Sequence, residues 1–121
     1  MLVIDDDAGV RSVARRMLEA FGFTVLEAAD GESGAAAFVE HAGHCALVLL
    51  DMTMPKLNGE ETLRAIRSVR SDVPVLLMSG YNELEASQRF ASAGLAGFLE
   101  KPFTADQLAQ KLQAALSSPG H

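Results

Sequence analysis

The chain has 121 residues, 49% apolar and 21% charged, enough for one domain that buries roughly two-thirds of its unfolded surface. Its formal net charge of −6 argues against direct nucleic-acid binding and gives no support to an anionic-membrane surface binder. No apolar run approaches the ~20 residues of a membrane span, and the single cysteine, Cys45, excludes an internal disulfide and a Cys-rich zinc site.

Taken in order, short β-rich apolar runs alternate with segments of helical length. Met1-Leu2-Val3-Ile4 opens directly as a strand, which suggests a piece of a longer chain. The first helix carries Val10, Val13, Ala14, Met17, Leu18 and Phe21 on one stripe, with Arg11, Arg15 and Arg16 on its other side and Gly22 at its end. The second strand is predicted over 24–26. Asp30 is placed to cap the second helix, where Gly34-Ala35-Ala36-Ala37 offers only small side chains and predicts weakly specified, mobile packing. The third strand is predicted over 46–50. The helix after it has Glu60 and Glu61 in its first turn and Arg67 and Arg70 near its end, an order that suits the helix dipole. The fourth strand is predicted over 73–78, then a fourth helix capped by Asn82, then a fifth strand over 97–99. A last helix opens with a Thr104/Gln107 capping box and carries Leu108, Leu112, Ala115 and Leu116 on one stripe. The domain is expected over 1–116, with 117–121 a tail or linker stub.

This is an α/β pattern, βα repeated five times. Strands three and four are nearly continuous apolar runs, as strands buried on both faces should be, so a doubly wound parallel sheet is expected. In such sheets the site lies beyond the carboxyl ends of the strands. There the sequence places Asp5-Asp6-Asp7, Asp51, Ser79-Gly80 and Glu100-Lys101-Pro102. If the first and third strands are neighbours, at least three carboxylates converge. They then need a counter-charge, a shared proton or a cation, and oxygen donors suit Mg²⁺ or Mn²⁺. A hydroxyl and an ammonium on the other strand ends look like phosphate handles. The set suits phosphoryl transfer onto a carboxylate, giving an acyl phosphate.

The pieces Leu2-Val3-Ile4-Asp5-Asp6-Asp7, Leu49-Leu50-Asp51-Met52-Thr53-Met54-Pro55 with Gly59, Leu77-Met78-Ser79-Gly80 and Lys101-Pro102-Phe103 fall in order along the whole chain. Together they resemble a response-regulator receiver domain of two-component signalling. Met78-Ser79-Gly80-Tyr81 with Gly94-Leu95-Ala96-Gly97-Phe98-Leu99 is similar to the carboxyl-terminal receivers of hybrid sensor histidine kinases. The resemblance implies a flavodoxin-like sheet of order 2-1-3-4-5. It makes Asp51 the phosphoacceptor, Asp5 and Asp6 the acidic pocket, and the Thr53 carbonyl a further ligand to Mg²⁺. Ser79 would bond the phosphoryl oxygen, Lys101 would pair with it, and the Lys101–Pro102 bond would be cis. Phe98 occupies an aromatic switch position, often Tyr in the family; lacking the phenolic hydroxyl, it leaves only a packing switch. Asp7 stands where Glu is common. Thr53 and Tyr81 flank the approach of the hydrolytic water, and Tyr81 is expected to slow dephosphorylation.

The implied partners are a histidine kinase or histidine phosphotransfer protein as donor and a downstream protein. The latter would meet the face made by the fourth helix, fifth strand and last helix, through which dimerisation is also open. The implied location is cytoplasmic, with a parent protein that could be membrane-attached. Such a receiver is no turnover enzyme, although its parent chain could be a hybrid histidine kinase.

Two other readings compete. A haloacid-dehalogenase-like phosphohydrolase also uses a strand-end Asp, but normally has a second Asp two residues on, where this chain has Thr53. A non-phosphorylated interaction module is opposed by the intact Asp6, Asp51, Ser79 and Lys101. The remaining features read as structural. Met52 and Met54 are packing, His41 and His44 meet solvent at the end of the second helix, and Cys45 is a buried small apolar residue.

Overall fold

Strand and helix formation follows where the apolar residues can be covered. The computed structural model describes residues 1–41, 43, 45–51, 59–70, 72–79, 97–100 and 103–117. Its elements run β1 (Leu2–Ile4), α1 (Ala8–Ala20), β2 (Leu26–Ala28), α2 (Gly31–His41), β3 (Val48–Asp51), α3 (Gly59–Val69), β4 (Val75–Ser79), β5 (Gly97–Glu100) and α4 (Ala105–Ser117). The helix predicted from Asn82 lies outside the described residues, as do His44, Met52, Met54 and the tail from 118 onward.

All five strands pair in parallel, in the order β2-β1-β3-β4-β5. This is the expected order. The wholly buried runs of β1 and β3 occupy its middle. Because side chains alternate along a strand, β1, β3, β4 and β5 feed both faces. Ile4, Leu50 and Leu77 join Phe38 of α2 and Leu63 and Ile66 of α3 in one cluster. Val3, Leu49, Leu76 and Met78 join Ala14 and Leu18 of α1 and Leu108, Leu112 and Ala115 of α4 in the other.

Several sequence expectations shift. The second strand is Leu26–Ala28, two residues later than 24–26. Val25 packs into the α1/α4 core, and the ladder starts where the Leu26 N–H donates to the Met1 carbonyl (2.8 Å). The stripe of α1 is narrower than predicted: Ala14 and Leu18 are buried, whereas Val13 and Phe21 are 47% and 41% exposed. Phe21 sits beyond the last helical residue, where Gly22 turns the chain at a φ of 96°, a left-handed conformation that favours glycine. Leu116, predicted on the buried stripe of the last helix, is 40% exposed.

The caps predicted at Asp30 and Thr104 form. The Asp30 carboxylate accepts from the Ser33 N–H (2.7 Å). At α4 the Gln107 N–H donates to Thr104 Oγ1 (3.1 Å), and the Thr104 N–H donates to Gln107 Oε1 (2.9 Å), a reciprocal box. Replacing Thr104 by Ala removes one arm and should lower stability by about 1 kcal/mol in a urea titration. No change there would mean the box is not formed in solution.

The small-residue stretch of α2 is not loosely fitted at Gly34. A Cβ built on this residue would lie 2.5 Å from Ile4 Cδ1, so the missing side chain lets the helix approach β1. Cys45 is buried, as expected, and its thiol stands 3.4 Å from the Leu47 carbonyl. Burial pushes that thiol up from its ordinary pKa, which suits a packing residue and not a nucleophile. No helix among the described residues is long and apolar enough to cross a membrane.

Candidate functional site

The sheet register builds the site. Ile4 lies opposite Leu50, so the residues that follow, Asp5 and Asp51, emerge side by side at the carboxyl ends of β1 and β3. Asp51 in turn pairs with Met78, which brings the end of β4 alongside. One carboxylate oxygen from each of Asp5, Asp6 and Asp51 lies within 4.8 Å of the others. Asp5 is fully buried, Asp51 is 5% exposed, and Asp6 faces solvent.

Local hydrogen bonds fix the loop after β1. The Asp5 N–H donates to the Ala28 carbonyl (3.1 Å), continuing the ladder with β2 for one residue. The Asp7 N–H donates to Asp5 Oδ1 (2.9 Å). The Asp7 carboxylate accepts from the N–H groups of Gly9 and Val10 (2.8 and 3.2 Å) and so caps α1. Asp7 therefore faces its own helix, while Asp5 and Asp6 face Asp51. The Arg11 guanidinium donates from Nη1 to the Asp5 carbonyl (2.8 Å), and its Nε lies 3.5 Å from Glu27 Oε1 on β2.

Taken by themselves, two buried carboxylates and a third at their edge repel one another. At separations of this order a pair repels by about 3–4 kcal/mol with an effective dielectric near ~20. The donor set fits a hard divalent cation: all oxygen, all anionic, converging from two adjacent strand ends. The sequence-predicted Asp5, Asp6 and Asp51 are thus brought together. Ser79 is the last residue of β4, in register with Glu100 of β5. Phe98 lies on β5 opposite Leu77, partly buried against the α2/α3 core. It also lines a cleft of about 250 Å³ with Glu100, Gln107 and Lys111. Thr53, Tyr81, Lys101 and the Lys101–Pro102 bond lie outside the described residues.

The predicted stripe sets Arg11 with Arg15 and Arg16 on the other side of α1, and nothing in the sequence marks Glu27. The available signal was a basic residue near the start of a helix whose first turn holds no acid, against the helix dipole.

Residues 1–113 match the family described as response regulator receiver domain. The sensor kinase CckA of Brucella abortus is 33% identical over 116 residues, covering 96% of this chain and 12% of that protein. The response regulator MprA of Mycobacterium ulcerans is 36% identical over 96% of the chain and 49% of its own length. Among solved structures, the receiver domain of NtrX from Brucella abortus superposes with a TM-score of 0.88 at 31% identity, covering 97% of this chain and 98% of that one. The chain spans from 12% to about half of the length of the curated relatives it matches. The matched span takes in the whole acidic cluster, where the phosphohydrolase reading had also rested, and runs on into α4. The match runs from the first strand into the last helix, the sheet order is that of the fold, and the chain belongs to the response regulator receiver domains.

Proposed function

We propose that this domain is a phosphoacceptor switch in which Asp51 takes a phosphoryl group from a phosphohistidine donor. Receiver domains are signalling switches. The observation that carries the assignment to this residue is the convergence of Asp5, Asp6 and Asp51, with Asp51 at the very end of a buried strand. A carboxylate oxygen of Asp51 attacks phosphorus. The P–N bond of the donor breaks, its electron pair returns to the imidazole, and an O–P bond forms on Asp51. Asp5, Asp6, Asp51 and the Thr53 carbonyl would hold Mg²⁺, with Mn²⁺ an alternative; a cation bound there would offset charge on the phosphoryl oxygens during transfer. Ser79 and Lys101 bind those oxygens. The added charge draws Ser79 toward the phosphate, and the Phe98 ring packs inward behind it.

The donor is a histidine kinase or histidine phosphotransfer protein. The responding face includes β5 and α4 and meets a downstream protein partner. The domain proper is 1–116, to which the structure adds one residue, since α4 runs to Ser117. It works in the cytoplasm without turning over a separate substrate. Likeness to a sensor kinase supports a hybrid histidine kinase as the parent chain.

Incubation with acetyl phosphate and Mg²⁺, read by intact mass, tests the reading. A single base-labile phosphoryl adduct is expected, and none when EDTA is present. A folded protein that gains no adduct from acetyl phosphate or from a phosphorylated histidine kinase would leave the non-phosphorylated module in its place. Thr53 and Tyr81 set the pace of hydrolysis by flanking the water's approach. Tyr81→Ala should therefore lose its phosphoryl group several-fold faster than the wild type, and an equal lifetime would remove Tyr81 from that role.

A further inference from the structure

The peptide group between Asp5 and Asp6 links the two carboxylates that the β1–α1 loop brings to the cluster. Its carbonyl accepts from Arg11 Nη1 at 2.8 Å. Arg11 lies one turn into α1, where its own N–H donates to the Asp7 carbonyl (3.0 Å). Helical side chains lean toward the helix N-terminus, so Arg11 can reach back six residues to this carbonyl. Glu27 then holds the far side of the guanidinium, with Nε 3.5 Å from Oε1, and Arg15 Nη1 binds the other Glu27 oxygen at 2.8 Å. Glu27 is itself in register with Val3, two residues before Asp5.

This arrangement has a specific chemical sense. A guanidinium placed on the carboxylates would compete with a cation for their oxygens. Placed on the backbone carbonyl, it fixes the plane of the Asp5–Asp6 peptide through a charge-assisted bond. A cation near a helix N-terminus opposes the helix dipole, so Arg11 breaks a local rule that Glu27 compensates.

We infer that Arg11 is a positioning residue: held by Glu27, it orients the Asp5–Asp6 peptide so that both carboxylates face Asp51 in a geometry ready for a divalent cation. The inference rests on the metal reading above and adds the residue that preorganises the site. Hydrogen-bond partners behind metal ligands typically alter affinity by about 10- to 100-fold when removed.

The test is Mn²⁺ binding to the folded domain, followed by the electron paramagnetic resonance signal of free Mn²⁺. The proteins are wild type, Arg11→Ala, Arg11→Lys and Glu27→Gln, with thermal unfolding of each in metal-free buffer. Arg11→Ala should weaken binding about tenfold. Arg11→Lys, which keeps a donor for the carbonyl, should restore most of it, and Glu27→Gln should fall between. Should Arg11→Ala not fold, Arg11→Met keeps the aliphatic stem without a donor and carries the same expectation. Wild-type binding matched within twofold by Arg11→Ala or Arg11→Met, or tighter binding by either, overturns the positioning role alone. Absence of Mn²⁺ binding by the wild type overturns the metal reading and this inference with it.

Discussion

Asp51→Asn should abolish the phosphoryl adduct completely while leaving the fold as stable as the wild type, or more stable, in metal-free buffer. The two parts have separate causes. An amide of the same shape has no carboxylate oxygen with which to form an acyl phosphate. It also removes one of three negative charges packed within 4.8 Å of one another, of which the Asp5 and Asp51 side chains belong to buried residues. Relief of repulsion is worth at most about 3–4 kcal/mol per pair at an effective dielectric near ~20, and existing hydrogen bonds reduce the gain. Intact mass after acetyl phosphate reads the first part, and thermal unfolding with and without Mg²⁺ reads the second. Mg²⁺ should raise the wild-type midpoint and raise that of Asp51→Asn less. An adduct that survives the substitution would place the acceptor elsewhere. A large drop in the metal-free midpoint would mean that the cluster is held by attractions that outweigh its charge.

The second large effect lies behind the site. Gly34→Ala in an exposed helix would stabilise by about 1 kcal/mol through helix propensity. Here the sign should reverse. The new Cβ would fall 2.5, 2.8 and 2.9 Å from Cδ1, Cγ1 and Cγ2 of Ile4, a β-branched side chain that is fully buried. Overpacking of this kind typically costs about 1–3 kcal/mol, so Gly34→Ala should be net destabilising and Gly34→Val severely so. Ile4→Val removes the nearest atom. The double variant Gly34→Ala with Ile4→Val should therefore lose less stability than the two single losses added together. Urea titrations of the four proteins complete the cycle. If Gly34→Ala stabilises, the close approach of α2 to β1 is wrong. Because Ile4 immediately precedes Asp5, the substitution should also slow adduct formation.

Particular residues show how far the sequence could be read. Asp5 and Asp51 were legible because each stands where an apolar run ends, with Asp6 next to Asp5, and an acidic residue at the end of a buried parallel strand has few structural uses. The caps at Asp30 and Thr104 were legible because they depend on residues three apart in the chain. Where a run ends against solvent, legibility fails. β2 is an edge strand whose Leu26 and Glu27 are exposed, so its apolar content did not mark its ladder. Periodicity gave α1 a broad stripe, but the width actually covered is set by what packs against the helix, and Val13 lies outside it. Arg11 stands three and seven residues before the buried Ala14 and Leu18, so its spacing does put it on the buried face of α1; what it touches there is another matter. Side-chain reach toward a carbonyl six residues back, and toward a second strand, is a tertiary fact that spacing does not encode. Gly34 reads as a weak helix former until Ile4 is seen against it.

The central sheet is a wall with a room on either side. Phe38, Leu63 and Ile66 furnish one room, and Ala14, Leu18, Leu108 and Leu112 the other. Among the described residues no side chain is shared between them, since alternate residues of a strand turn to opposite sides. Mutational drift in one room therefore meets little epistasis from the other. A lineage can refit the α4 side to a new neighbour while the α2/α3 side keeps the strands in register, so long as Arg11 of α1 keeps its bond to the Asp5 carbonyl.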